Sequence, residues 1–284
     1  MSAAPKAAVV IGGGTMGVGI VHVLLAAGTP VTLVEASPER GASARESVLA
    51  SLRKAADRGK LPDGADAETL FAGLTVATSA ADAPPAAELV IEAVPEDVEL
   101  KRRILAEAAA ACPQAVLASN TSSLSIAAIA EGLPVERVLG MHFFNPVPVQ
   151  ALVELVHHAA VSAEVVARVR AWSEALGKTV IEVRDSPGFA TSRLGVAVGL
   201  EAIRMLQDEV ASAEDIDTGM RLGYGWPMGP LRLTDLVGLD VRLAIAEHLA
   251  AELGPRFEPP ELLRAKVAAG DLGRKTGQGF FTWP

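Results

Sequence analysis

The sequence predicts a doubly wound α/β domain over residues 1–186, followed by an all-helical domain over residues 187–284. Three observations support this fold class. An apolar run ends at a glycine triplet that opens a helical pattern, and β-branched runs then alternate with helical patterns. Beyond Asp185-Ser186-Pro187-Gly188 the β-branched runs become rare. A chain of 284 residues is also long enough for two domains.

The first domain is predicted element by element. Residues 7–11 form a compact apolar run typical of a buried parallel strand, and apolar residues at helical spacing follow the glycines. Further strands are predicted at residues 31–35, 74–77, 89–92, 115–119, 138–142, 151–156 and 179–183. The helices between them are predicted at residues 43–60, 100–112, 126–131 and 164–177.

The second domain is predicted to contain only helices, at residues 194–209, 212–222, 231–252 and 260–269. Its first helix opens with the apolar stretch 194–200, which needs a surface to pack against. Because a two-fold dimer is the commonest way to cover such a surface, we expect a homodimer formed through this domain.

Composition and charge exclude several classes of protein. The single cysteine, Cys112, excludes an intramolecular disulfide framework and a cysteine-rich zinc site, and it favours a reducing compartment. No apolar run approaches the roughly 18 residues needed to span a bilayer, and the N-terminus does not read as a signal peptide. We therefore expect a cytoplasmic protein with no membrane partner. The net charge of −9 argues against nucleic acid as a partner.

A glycine-rich turn predicts a Rossmann-like dinucleotide site. Residues 12–17 read Gly-Gly-Gly-Thr-Met-Gly, which matches G-x-G-x-x-G after a strand and before a helix. Gly12 permits the tight turn, Gly14 lets a pyrophosphate approach the backbone, and Gly17 allows close packing. We count Thr15 and Met16 among the cofactor contacts because they belong to the same turn.

Glu35 predicts which dinucleotide binds. It lies 23 positions after Gly12, at the end of the second strand. A carboxylate there accepts hydrogen bonds from the ribose hydroxyls and repels a 2′-phosphate, which favours NAD over NADP. A flavin site or an empty Rossmann turn is the alternative.

Polar residues end two further strands, at Glu92–Glu96 and at Ser119–Ser123. The carboxyl edge of a parallel sheet is where ligands bind, so Glu96, Asn120 and Ser122 are candidate contacts. Helix capping explains both groups about equally well.

His142 and Glu154 predict the reacting end of the site. His142 is the best candidate for a base, because imidazole titrates near neutrality. Glu154 follows in an apolar strand, where a carboxylate is costly to bury without a cation or a donor. Pairing of the two would fix the imidazole tautomer. The alternatives are a structural histidine and an outward-facing glutamate.

Nine segments together resemble the 3-hydroxyacyl-CoA dehydrogenase family, and most closely its short monofunctional 3-hydroxybutyryl-CoA dehydrogenases. They cover nearly the whole chain in order, at residues 12–17, 92–96, 119–123, 142–146 with Glu154, 185–189, 214–217, 227–230, 235–240 and 273–277. The resemblance implies a reversible NAD-dependent oxidation of an L-3-hydroxyacyl-CoA to the 3-ketoacyl-CoA.

The resemblance also implies roles for individual residues. His142 would be the general base, and Glu154 would orient it and stabilise its charge. The other matching positions are Ser122 at the reacting oxygen, Asn145 at the nicotinamide end, and Glu96 and Lys101 as contacts of NAD.

One residue departs from the family pattern. Ser192 stands where the family has a substrate-binding Asn, and a hydroxyl reaches less far and offers fewer hydrogen-bonding groups. We keep Ser192 in the predicted site. The departure bears on substrate preference more than on the class of reaction.

The anionic coenzyme A part of the substrate needs a local basic surface on this acidic chain. Lys54 and Arg58 are predicted to share one helical face at i and i+4, and they are candidates to bind the adenosine 3′-phosphate. An ordinary solvated basic face is equally consistent with the pattern.

Two other functions fit the same two-domain plan. One is a dehydrogenase of a free hydroxy acid, of the L-gulonate or carnitine type. The other is a crystallin-like homologue without catalytic activity, against which the presence of both His142 and Glu154 argues.

Overall fold

The computed structural model describes residues 4–284, and the chain divides into two compact units at Asp185 and Ser186. The first unit is a sheet with helices. Its elements in chain order are β1 Ala8–Ile11, α1 Thr15–Ala26, β2 Val31–Val34, α2 Pro38–Ala56, α3 Ala67–Phe71, β3 Leu74–Ala77, β4 Leu89–Glu92, α4 Val98–Ala111, β5 Val116–Ser119, α5 Ile126–Ala130, β6 Val138–Phe143, β7 Leu152–His157, α6 Ala163–Ala175 and β8 Thr179–Arg184.

The eight strands form one sheet in the order β3-β2-β1-β4-β5-β6-β7-β8. All neighbours pair in parallel except β6 and β7, which are antiparallel. The sequence analysis predicted a parallel sheet, and β7 is the exception. Residues 144–151 are fewer than the dozen or more that a parallel crossover requires, so the chain turns back on itself there. The doubly wound fold class is confirmed.

The central strands carry the core of this unit. Every residue of β1, β4, β5 and β6 is buried, because helices cover both faces of the sheet. Apolar runs in the sequence therefore located these strands well. β8 is one of the two edge strands and is half exposed.

The second helix differs from its prediction at both ends. It begins at Pro38, because the Ser37 side chain accepts a hydrogen bond from the Arg40 N–H. It ends at Ala56 rather than Lys60, because Gly59 turns the backbone at a φ of +60°. Arg58 consequently lies in the turn after the helix.

The second unit, Ser186–Pro284, is helical. Its helices are α7 Thr191–Gln207, α8 Ala213–Gly223, α9 Pro230–Val237, α10 Leu239–Leu253 and α11 Glu261–Ala268. The single helix predicted at residues 231–252 is wrong, since Gly238 takes a φ of +107° and separates α9 from α10. Within residues 4–284, no helix combines the length and the apolar character needed to cross a membrane.

Candidate active site

The register of the sheet brings the polar strand ends to one edge. Ile11 of β1 pairs with Glu92 of β4, Glu92 pairs with Ser119 of β5, and Ser119 pairs with Gly140 of β6. The glycine turn and the loops that begin at Ala93 and Asn120 therefore leave the sheet side by side, at its carboxyl edge.

The three glycines of the motif each meet a different constraint. Gly12 has a φ of +98°, and a Cβ there would lie 2.9 Å from the Ala93 carbonyl oxygen. A Cβ at Gly17 would overlap the carbonyl oxygen of Gly12. At Gly14 no heavy atom lies within 4 Å of the position that a Cβ would take. The turn is thus packed against the protein on one side and open at Gly14.

Glu35 is a buried carboxylate beside this turn. It accepts hydrogen bonds from the Gly13 N–H at 2.6 Å and the Ala36 N–H at 3.0 Å, and Arg40 Nε donates to it at 3.0 Å. Burial acts to raise the pKa of Glu35, but the two backbone N–H groups and the Arg40 charge outweigh it and lower the pKa. Glu35 is therefore ionised at neutral pH.

A cavity of about 590 Å³ opens over these groups. It is lined by Gly12, Gly14, Thr15, Met16 and Glu35 on one side and by residues of the β4 end and α4 on the other. The start of α1 carries no acidic residue in its first turn, so the N–H groups there favour an anion. Together, the open Gly14 and the ionised Glu35 fit the pyrophosphate and ribose of a dinucleotide.

Lys101 of α4 is a buried cation at the end of strand β4. It is 1% exposed, and its Nζ donates to both oxygens of Glu92, at 3.0 and 2.9 Å, and to the Val94 carbonyl at 3.1 Å. The same Nζ lies 3.2 Å from Glu96 Oε2. Burial raises the pKa of Glu92, while Lys101 and Ser119 favour its charged form. Lys101 therefore holds two carboxylates in place.

Glu96 in turn organises the loop after β5. Its Oε1 accepts hydrogen bonds from the Ser122 N–H at 2.8 Å, the Ser122 hydroxyl at 3.2 Å and the Thr121 hydroxyl at 3.0 Å. The neighbouring Asn120 accepts a hydrogen bond from the Phe143 N–H at 2.9 Å, which ties this loop to the end of β6. Ser122 is thus fixed relative to Glu96, and Asn120 relative to the strand that carries His142.

His142 and Glu154 meet across the antiparallel strands β6 and β7, where they are register partners. His142 Nδ1 lies 2.6 Å from Glu154 Oε2, with His142 7% and Glu154 0% exposed. Since a carboxylate only accepts, Nδ1–H is the donor and Nε2 carries the lone pair in neutral His142. The Phe144 ring packs on the imidazole with centroids 4.4 Å apart. A histidine whose ring is held by a carboxylate in this way is arranged as a general base.

Asn145 follows β6 and faces the glycine turn. It lines a second cavity of about 350 Å³ together with Gly14, Thr15, Ser47 and Ser51. The structure thus brings Asn145 beside the glycine turn, at a cavity that shares Gly14 and Thr15 with the Glu35 cavity.

The remaining predicted residues lie elsewhere. Lys54 is exposed in the last turn of α2, and Arg58 is exposed beyond the end of that helix, so the expected i, i+4 pairing on one helical face is wrong. Ser192 occupies the first turn of α7 in the second unit and is partly buried.

Sequence reasoning placed Glu92 and Ser119 at strand ends but missed their contacts with Lys101 and with each other, and it missed Arg40 altogether. A signal existed for Glu92, because it ends an otherwise apolar buried strand. Arg40 had no such signal, since an arginine near the start of a helix is ordinarily a surface residue.

The fold and the polar edge of its sheet are those of a dinucleotide-binding protein. The family model "3-hydroxyacyl-CoA dehydrogenase, NAD binding domain" matches residues 7–186, and the model for the C-terminal domain matches residues 188–283. The chain therefore belongs to the 3-hydroxyacyl-CoA dehydrogenase family of NAD-dependent oxidoreductases. This confirms the resemblance inferred from the sequence motifs.

Three similar proteins match over nearly their whole length. The chain is 42% identical to the 3-hydroxybutyryl-CoA dehydrogenase of Mycobacterium tuberculosis, covering 100% of both proteins. It is 38% identical to the human mitochondrial hydroxyacyl-coenzyme A dehydrogenase, over 98% of this chain and 91% of that protein. The crystal structure of (S)-3-hydroxybutyryl-CoA dehydrogenase from Ralstonia eutropha superposes with a TM-score of 0.92 and 39% identity, covering 99% of this chain and 100% of that one.

Proposed function

We propose that His142 is the general base that removes the hydroxyl proton of an L-3-hydroxyacyl-CoA, and that Glu154 is its partner. The observation that carries this proposal is the buried 2.6 Å contact between His142 Nδ1 and Glu154 Oε2. The contact orients the ring and leaves Nε2 as the proton acceptor.

Glu154 does two things for that proton transfer. It fixes the tautomer before the reaction, and its negative charge stabilises the imidazolium once the proton has arrived. NAD, when bound, supplies the acceptor for the hydride that leaves C3 of the substrate. Gly12, Gly14, Thr15, Met16 and Glu35 would hold its adenosine and pyrophosphate parts, with Gly17 shaping the turn beneath them.

The loop residues are proposed to position the reacting groups. Ser122 donates a hydrogen bond to the reacting oxygen, and Asn145 supports the nicotinamide end. Glu96, Lys101 and Asn120 hold this arrangement at the NAD side through the contacts described above. Ser192, which stands where the family has a substrate-binding Asn, is proposed as a further substrate contact.

The substrate is proposed to be a short 3-hydroxyacyl-CoA such as 3-hydroxybutyryl-CoA, because several relatives carry that substrate in their names. Lys54, exposed at the end of α2, and Arg58, in the turn that follows, are proposed to bind the 3′-phosphate of coenzyme A. Reversing both charges to Glu is expected to raise the KM for acyl-CoA severalfold and leave the KM for NAD unchanged. An unchanged KM for acyl-CoA contradicts this part of the proposal.

NADH formation, followed by absorbance, tests the function directly. The purified chain is given NAD with L-3-hydroxybutyryl-CoA, with L-gulonate, with carnitine, or with buffer alone. We expect turnover with the first and none with the others. Turnover only with a free hydroxy acid supports that alternative, and inactivity throughout supports the crystallin-like one. His142→Gln is expected to lose this turnover, and His157→Gln, at a partly buried histidine of β7, is the matched control.

We further propose that the protein is a homodimer formed through its second unit, and that it works in the cytoplasm. Leu194 of α7 and Val241 of α10 are 67% and 42% exposed, and Leu222 of α8 is 79% exposed. Burial of such side chains by a second copy is a common solution. The reduced, buried Cys112 is compatible with the proposed location.

A further inference from the structure

Lys178 is a buried cation of the first unit whose partners are main-chain carbonyls rather than an acid. It lies between the end of α6 and Thr179, the first residue of β8, and only 7% of its surface is exposed. Its Nζ donates to the Val147 carbonyl at 2.6 Å and to the Gln150 carbonyl at 2.8 Å. Among residues 4–284, no carboxylate forms an ion pair with this ammonium group. Two carbonyl oxygens therefore stand in for the water and the counter-charge that a buried lysine normally requires.

The burial of Lys178 makes its position and that of the two carbonyls depend on each other. Removal from water disfavours the charge, and burial lowers the pKa of Lys178. Hydrogen bonds from a charged donor are stronger than those between neutral groups, so the two contacts offset part of that cost. If the carbonyls moved away, the ammonium group would be left buried without a partner. The contacts therefore resist movement of the main chain that carries the carbonyls.

The two carbonyls belong to the connection between β6 and β7, residues 144–151. The N–H groups of Val149 and Gln150 both donate to the Pro146 carbonyl, at 2.9 and 3.0 Å, so this connection contains a tight turn. Val149 at the tip of the turn is 73% exposed. Lys178 thus holds the base of the turn from the protein side and leaves the tip in solvent.

The same turn forms part of the cavity beside the glycine motif. Asn145 and Val147 line this cavity together with Gly14 and Thr15. Val147 is 2% exposed, and a Cβ at Gly19 of α1 would lie 2.8 Å from its Cβ. A shift of the Val147 carbonyl would therefore also move Asn145, two residues earlier in the chain, relative to the glycine motif.

We propose that Lys178 is a positioning residue that sets the place of Asn145 in the NAD site by holding two carbonyls of the connection. Lys178 lines a different cavity, with His22 and Lys60, and acts on the cofactor only through Asn145. This inference rests on the proposed function, which assigns Asn145 to the nicotinamide end. Without Lys178, the nicotinamide end of the cofactor loses affinity, while the adenosine end at Glu35 keeps it.

Two ligands that share the adenosine end test this assignment by binding alone. NADH and ADP-ribose differ in the dihydronicotinamide, and calorimetry with the full chain gives the Kd of each. Lys178→Met removes the donors and keeps the length of the side chain. We expect it to weaken the binding of NADH about three- to tenfold, as for the loss of roughly one hydrogen bond, and to leave the Kd of ADP-ribose within about twofold of wild type. Lys60→Met, which removes an exposed lysine from the wall of the same cavity, should change neither Kd.

A double variant tests whether Lys178 acts through Asn145. If it does, Lys178→Met combined with Asn145→Ala binds NADH no more weakly than Asn145→Ala alone, because the side chain that Lys178 positions is already gone. Losses that add in the double variant would show that the two residues act independently, and they would overturn the inference.

The single variant can overturn the inference in two further ways. Equal weakening of both ligands in Lys178→Met would make Lys178 a structural residue of the whole dinucleotide site. An unchanged Kd for NADH would show that the connection keeps its place without the lysine. If Lys178→Met does not fold, Lys178→Gln replaces it. Its side chain is polar but uncharged and one atom shorter, and the same difference between NADH and ADP-ribose is required of it.

The proposed function and the role of Lys178 can fail separately. If the chain does not oxidise 3-hydroxybutyryl-CoA but Lys178→Met weakens NADH and not ADP-ribose, the role of Lys178 stands and the reaction is wrong. If the chain oxidises 3-hydroxybutyryl-CoA and Lys178→Met treats the two ligands alike, the reaction stands and the role of Lys178 is wrong.

Discussion

His142 and Glu154 lie on neighbouring strands in an apolar setting where neither polar group is easily accommodated alone. Glu154 is completely buried, and its contact with Nδ1 supplies a hydrogen-bond donor to its carboxylate. The chemistry and the local stability of this part of the sheet therefore depend on the same contact.

Glu154→Gln tests that dependence. The amide keeps the shape of the carboxylate but cannot stabilise the imidazolium, so we expect kcat to fall by about 10²- to 10⁴-fold with little change in KM. Steady-state kinetics with L-3-hydroxyacyl-CoA and NAD measure both constants. Glu182→Gln, on the neighbouring strand β8 and partly exposed, is the control. A kcat within a few-fold of wild type would show that Glu154 is structural.

His22 is a second buried imidazole, and its Nδ1 contacts a hydroxyl where that of His142 contacts a carboxylate. Its Nδ1 lies 2.8 Å from the Ser51 hydroxyl oxygen, and burial, with the charge of Lys178, lowers the pKa of His22 from 6.5 to about 4. Between these values the unfolded chain binds a proton that the folded chain does not. The contribution of His22 to stability is therefore complete above pH 6.5 and is lost as the pH falls toward 4.

The corresponding measurement is chemical denaturation from pH 4.5 to 7.5. The wild type is expected to lose up to about 3 kcal/mol of unfolding free energy through His22 across its titration. His22→Gln, which keeps a polar group near Ser51, should flatten that part of the pH profile. Equal slopes for the two proteins would contradict the assignment.

At the residue scale, the sequence predicted those site residues that lie in or beside a recognisable apolar strand. Glu35, His142 and Glu154 each lie in or at the end of an apolar strand, so their burial could be inferred. Lys101 could not be placed by physical reasoning, because a lysine in the first turn of a helix normally faces solvent. Its burial depends on the position of Glu92, which only the folded sheet determines.

At the scale of elements, two glycines of the turn have different roles. Gly17 is needed for the packing of the turn, and Gly14 is needed for binding of the ligand. Gly17→Ala would drive a Cβ into the Gly12 carbonyl, whereas Gly14→Ala meets no protein atom within 4 Å. We expect Gly17→Ala to lower the Tm by several degrees. Gly14→Ala should leave the Tm unchanged and weaken NAD binding about tenfold or more.

Thermal unfolding and NAD titration of the two variants check this contrast. The reverse pattern, with a stable Gly17→Ala and an unstable Gly14→Ala, would mean that the turn is packed differently. Strand bounds were predicted to within a few residues, but the short helix α3 at Ala67–Phe71 was not predicted. The break at Gly238 was missed because a single glycine inside an apolar helical pattern is usually tolerated.

At the scale of the whole molecule, the prediction concerns the oligomeric state, which is proposed to be a homodimer. Leu194→Glu and Leu222→Glu each place a charge on an exposed apolar side chain of the second unit, where it would be buried in a dimer. We expect light scattering to give a dimer for the wild type and a monomer for one or both variants. Val149→Glu, which charges a 73% exposed residue of the first unit, is the control. A monomeric wild type would contradict the proposed homodimer.

The antiparallel pairing of β6 with β7 determines where the chain can accept insertions and deletions. Side chains alternate between the two faces of a strand, so deleting one residue inside β7 ahead of Glu154 would move its carboxylate to the far side of the sheet. Adding residues at the exposed Val149, in the connection that leads into β7, leaves that alternation intact. Engineered insertions should therefore be placed in this connection. The number of residues in β7 before Glu154 cannot change.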